Sequence, residues 1–112
     1  MTPPRIEQRI SPRSVVVAGK DQVSSDLAGE AVILHVRSGK YYGLANVGAR
    51  IWHLLQEPAT VSDIRDVIMR EYDVSPDRCE EDVLILLGQL AEEGLVEVTR
   101  GSDPEVRDAA AR

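Results

Sequence analysis

Phenylalanine is absent from this chain of 112 residues, and aromatics of all kinds make up only 4%. Aliphatic side chains therefore have to build the core. The single cysteine, Cys79, excludes an internal disulfide, so nothing points to secretion. With only His35 and His53 beside it, it also makes a poor zinc site, whose ligands usually come in close pairs. The opening Met1-Thr2-Pro3-Pro4-Arg5 has no apolar signal core, and no apolar run approaches the length of a membrane span. A cytoplasmic protein without a membrane partner is expected. Positive charge is scarce: 13 Lys and Arg against 19 Asp and Glu leave a net charge of −6, a field that repels a phosphate backbone. No glycine-rich phosphate loop is present, because Gly39, Gly43 and Gly48 are spaced as turn and packing glycines.

What remains, 43% hydrophobic and 29% charged, suits one soluble globular domain with tails. The core it can build is modest and leaves no room for a deep enzyme cavity. Residues 1–13 hold three prolines and read as a flexible arm, 14–99 as the folded domain, and 100–112 as a disordered tail. Val15-Val16-Val17 is β-branched and reads as a short strand or an arm lying on the sheet. Gln22 to Leu27 and Ala31 to Val36 read as strands joined by a tight Ala28-Gly29 hairpin, and Arg37-Ser38-Gly39 turns the chain into a third strand, Lys40 to Leu44. Asn46 stands where a helix N-cap would, followed by Val47, Ile51, Leu54 and Leu55 at helical spacing. Thr60 caps a second helix whose buried face is Val61, Ile64, Ile68 and Tyr72. Ser75-Pro76-Asp77 starts a third, with a stripe of Cys79, Val83, Leu86, Leu87 and Leu90 and a stop at Gly94. Leu95 to Val98 offers a closing strand. The expected fold is α+β and winged-helix-like, a three-stranded antiparallel sheet followed by three helices.

No catalytic constellation emerges. A cysteine nucleophile needs a base beside its thiol, whereas Cys79 falls on an apolar stripe and reads as a small packed hydrophobe. The acidic runs Glu80-Glu81-Asp82 and Glu92-Glu93 read as solvated helix face, except that Asp82 flanks the stripe and can meet a cation or a peptide N–H. A winged helix raises DNA binding, but the third helix has only Arg78 against Asp77, Glu80, Glu81, Asp82, Glu92 and Glu93. The third strand is the most telling piece. As the last of its sheet it leaves backbone groups free to pair with a peptide. Tyr41 and Tyr42 are either packing residues or, one of them, part of a groove wall beside the added strand.

The stretches Asp26 to Leu34, Gly39-Lys40-Tyr41-Tyr42-Gly43-Leu44 and Asn46-Val47-Gly48-Ala49-Arg50-Ile51-Trp52, with Thr60 to Ile64, Glu81 to Leu90 and Glu93 to Val96, resemble a PqqD-like protein over about residues 22 to 98. That family consists of recognition elements for ribosomally made, post-translationally modified peptides. The resemblance implies that a precursor's leader peptide adds as a strand on the third strand and lies against the third helix. The peptide-binding residues it implies are Lys40, Tyr41, Tyr42, Gly43, Leu44, Asp82, Val83, Leu86, Leu87 and Leu90, with no catalytic residue, metal or cofactor. The stand-alone leader-binding subunit of lasso-peptide biosynthesis is the most similar type, and its partner is a transglutaminase-like cysteine leader peptidase. Two alternatives stand beside it: a peptide chaperone delivering a precursor to a radical SAM enzyme, and a winged-helix DNA binder. Many relatives have Leu-Asn after the strand where this chain has Leu44-Ala45-Asn46, which puts the cap of the first helix in question.

Overall fold

The computed structural model describes residues 10–99. The strands are β1 (Val15–Ala18), β2 (Gln22–Leu27), β3 (Glu30–His35), β4 (Lys40–Ala45), β5 (Ala59–Thr60) and β6 (Val96–Thr99); the helices are α1 (Val47–Leu54), α2 (Val61–Glu71) and α3 (Pro76–Glu92). The expected meander is present as an antiparallel β2-β3-β4 sheet, followed by three helices. A second small sheet, in the order β5-β1-β6, was not foreseen. In it the Val15 strand and the closing strand pair with each other, Val16 opposite Val98, and keep clear of the meander. Residues 1–9 of the expected arm, and the whole tail from Arg100, lie outside the described residues. From residue 10 the chain is in contact with the fold: Ile10 packs on the core, and the Pro12 carbonyl accepts bonds from the Ser62 N–H and hydroxyl.

The β2-β3 hairpin is closed by Ala28 (φ 49°) and Gly29 (φ 86°). Two successive residues with positive φ make the type I′ turn that matches strand twist. Ala31 and Ile33 point inward and are fully buried, while their neighbours Val32 and Leu34 lie on the outer face. The inner face packs on α1, whose Trp52 is 1% exposed and satisfies its indole by donating to Ser24 Oγ at 3.1 Å. Ile64 and Ile68 of α2 and Cys79, Val83, Leu87 and Leu90 of α3 complete one core. Arg50 clamps α1 to the end of α2 through a bidentate pair with Glu71, both bonds 2.8 Å.

All three helices start where expected, but Asn46 does not cap through its side chain. Thr60 accepts from the Asp63 N–H as expected. Asn46 occupies the cap position at φ 55° but makes no side-chain cap bond, and its carbonyl serves the helix by accepting from the Arg50 N–H. Ser75 likewise caps through its carbonyl alone, and Pro76 removes one N–H that would otherwise need a partner. Among the described residues no helix is long and apolar enough to cross a membrane.

Candidate functional site

Strand pairing decides which backbone groups of β4 are free. In a two-residue hairpin the flanking pair, here Leu27 and Glu30, exchanges both hydrogen bonds, and bonding alternates from there. Glu30, Val32 and Leu34 therefore bond to β2, and Ala31, Ile33 and His35 bond to β4. On β4 their partners are Leu44, Tyr42 and Lys40. Two further bonds fit the same parity: Val36 N–H to Asp21 O, and Asn46 N–H to Gly29 O. The N–H and C=O groups of Tyr41, Gly43 and Ala45 are thus aimed at the outer edge of β4. No strand among the described residues pairs with that edge. Of the five expected β4 residues, Tyr41 and Gly43 present their main chain there, Ala45 joins them, and Lys40, Tyr42 and Leu44 hold β3.

Side chains alternate too. Tyr41 is 71% exposed on the outer face, whereas Tyr42 and Leu44 point inward and pack against the core. Tyr42 is therefore the tyrosine that faces the helices. Its hydroxyl donates to Glu93 Oε1 at 2.7 Å, joining β4 to the end of α3, and this bond to a carboxylate holds the phenol above its ordinary pKa.

Beyond Leu44 an apolar cavity of about 240 Å³ opens, lined by Val47, Gly48 and Ile51 of α1, Ile68 of α2, Val74, and Cys79, Asp82, Val83 and Leu86 of α3. Gly48 links strand and cavity: it lines the cavity, and a Cβ on it would lie 3.6 Å from the Leu44 side chain, in ordinary contact. Of the expected α3 residues, Asp82, Val83 and Leu86 line the cavity, while Leu87 (0% exposed) and Leu90 (5%) lie in the core and support its wall. Asp82 is exposed at the mouth and pairs with Arg78 at 3.3 Å. Val47, Gly48, Ile51 and Val74 were not expected at the binding site, because their place on the cavity wall depends on how three helices meet. Cys79 is packed as expected; burial pushes its thiol pKa up, and its Sγ lies 3.8 Å from Arg65 O.

The arrangement sets a strand edge with outward main-chain groups beside a cavity lined mostly by apolar side chains. His53 sits 3.5 Å from Asp26, and His35 Nδ1 accepts from the Ser38 N–H, both away from Cys79 on other elements. Among the described residues no group of three or more His, Cys, Asp or Glu is placed to hold a metal ion.

Known proteins share this architecture. A chain from "TbiB1 in Complex with the TbiA(beta) Leader Peptide" is 38% identical, with a TM-score of 0.70 over 72% of this chain and 94% of that one. A chain from "Lasso peptide synthetase B1 complexed with the leader peptide" is 24% identical, with a TM-score of 0.66 over 73% of this chain and 96% of that one. The solution structure of the PqqD truncation of Methylobacterium extorquens PqqCD, described as a stand-alone RiPP recognition element, is 22% identical, with a TM-score of 0.67 over 81% and 98%. At those two lower identities the likeness speaks for the fold alone. Comparison with curated proteins gives no match. The family model for coenzyme PQQ synthesis protein D matches residues 30–96, from the start of β3 to the start of β6. With that match over more than half its length, the chain belongs to the PqqD family.

Proposed function

We propose that this protein binds the leader peptide of a ribosomally synthesised precursor, most nearly a lasso-peptide precursor, and presents it to a leader peptidase. The observation that carries this reading is the open edge of β4 set beside the apolar cavity. Main-chain bonds to Tyr41, Gly43 and Ala45 supply affinity for any extended chain, at about 1 kcal/mol net each. A bulky apolar side chain buried in the cavity adds about 1.5–3 kcal/mol and makes the binding selective. Lys40, Tyr42 and Leu44 hold the strand in place, and Leu87 and Leu90 hold the cavity wall. The similar chain from the TbiB1 complex, described with a leader peptide, supports the same reading.

The protein acts in the cytoplasm as a binding subunit and performs no chemistry itself. The partner that cuts the leader is a transglutaminase-like cysteine peptidase. The outer face of the meander leaves room for a protein partner: Val23 (59% exposed), Val36 (56%) and Tyr41 leave apolar surface uncovered. A guest strand on β4 widens that face and turns alternate side chains toward whatever docks there.

Titrating the chain with a synthetic leader, and timing precursor cleavage with and without it, tests both halves. Saturable binding and faster cleavage are expected; no binding by any leader encoded beside this gene refutes the proposal. Binding without faster cleavage favours delivery to a radical SAM enzyme instead.

A further inference from the structure

The two inward positions that β4 offers a guest strand are unequal. In an antiparallel pair, directly opposite residues share a face with their Cβ atoms about 4.5–5.5 Å apart. A guest residue opposite Leu44 and one opposite Tyr42, two positions apart, thus both point toward the helices. Leu44 lies beside Gly48, where a Cβ would stand 3.6 Å from its side chain, and Gly48 lines the apolar cavity, so a guest residue opposite Leu44 is the one nearer that cavity. Opposite Tyr42 it meets a ring whose hydroxyl is tied to Glu93 at 2.7 Å.

The end of α3 also lies close under the sheet at this point: a Cβ on Gly94 would stand 3.2 Å from His35 Nε2. Asp82, at the cavity mouth, and Glu93, at the tie, are eleven residues apart on α3, or about 16 Å at 1.5 Å per residue. Tyr42 is thus tied to the helix end at Glu93, while the cavity lies farther along α3, at Asp82.

We propose that the Tyr42–Glu93 tie is an end stop that sets the register of the guest, admitting only a small residue opposite Tyr42 and placing the bulky apolar residue two positions away, at the cavity. This rests on the strand-addition reading and adds to it a size rule for the peptide and a specificity role for Glu93. The rule is a bulky apolar side chain spaced i, i+2 from Gly, Ala or Ser. Without the stop, a guest could slide by two residues and keep the same main-chain bonds, since a two-residue shift preserves which side chains face inward.

Random peptides displayed on phage and selected on the wild-type chain are the probe. The selected sequences are expected to carry a bulky apolar residue with Gly, Ala or Ser two positions from it. Replacing that small residue by Leu in the synthetic peptide should weaken binding to the wild type roughly tenfold or more, the usual effect of overfilling a packed site. The same replacement should cost Tyr42→Ala and Glu93→Ala, which remove or release the ring, less than about threefold. Equal losses in the wild type and both variants, or bulky residues at both positions of the selected sequences, overturn the end stop and leave the groove standing. Recovery of no binding sequence, or of sequences without an apolar anchor, overturns strand addition and the end stop with it. Glu93 is exposed, so Glu93→Ala keeps the readout available if Tyr42→Ala weakens the fold.

Discussion

Gly43→Pro separates the open edge of β4 from the ladder that holds the strand in its sheet. The Gly43 N–H points outward, so proline removes a donor that the fold does not use, and it places ring carbons where a guest carbonyl would approach. A Cβ at this position meets no atom within 4 Å, and Tyr42 is already extended, as a residue before proline must be. Folded stability should change by less than about 1 kcal/mol, with a small gain available from the stiffer unfolded chain. Binding loses one bond of about 1 kcal/mol and leaves the guest carbonyl unpaired at a further 1–3 kcal/mol. Together that is about 2–4 kcal/mol, or roughly 30- to 700-fold in Kd. Calorimetric titration with the leader, beside thermal melts of the same samples, measures both quantities. Gly43→Ala is the control, expected to bind within about twofold of the wild type because its added methyl points to the outer face. A Gly43→Pro protein that folds normally and binds the leader as tightly as the wild type would refute strand addition on β4.

Other outcomes follow from the same geometry. Leu87→Asp should unfold the protein, because a charge at a fully buried site has no partner, whereas half-buried Leu86→Asp should keep the fold and lose leader affinity; melts and titrations of the pair tell them apart. Gly48→Ala should leave the fold intact yet weaken binding of leaders with a bulky anchor, because its methyl adds volume at the cavity wall 3.6 Å from Leu44; melts and leader titrations measure both. Tyr42 should ionise above the ordinary phenol range because its neutral form donates to Glu93. The tie therefore persists at neutral pH and is lost only as pH rises through that raised pKa; ultraviolet titration should show a late-ionising phenol that Tyr42→Phe removes.

Much of this architecture was legible because local rules agreed with one another. Alternation marked Ala31 to Val36 as a strand, Ala28-Gly29 forced the hairpin, Thr60 and Pro76 set two helix starts, and Gly94 set a stop. Even the free groups of β4 follow from local geometry. Once the Ala28-Gly29 turn fixes Leu27 and Glu30 as a bonded pair, parity assigns Tyr41, Gly43 and Ala45 to the open edge. Of the edge expected over Lys40 to Leu44, only Tyr41 and Gly43 turn their main-chain groups outward, and Ala45 extends it by one. The α3 stripe was also legible as apolar, but periodicity alone does not separate Leu87, which is sealed in the core, from Leu86, which lines a cavity.

By itself the sequence determined the order of elements, the meander, and a last strand whose neighbours carry no obvious chemistry. Tertiary structure decided the rest, because each remaining feature joins residues far apart in the chain. It paired β1 with β6 across the length of the domain. It turned Tyr42 rather than Tyr41 toward the helices and tied it to Glu93, 51 positions away. It also opened a cavity where α1, α2 and α3 fail to close on one another beside Leu44. Hydrogen-bond parity and amphipathic spacing act over a few residues, whereas the gap between a strand and a helix depends on how every packed element between them sits.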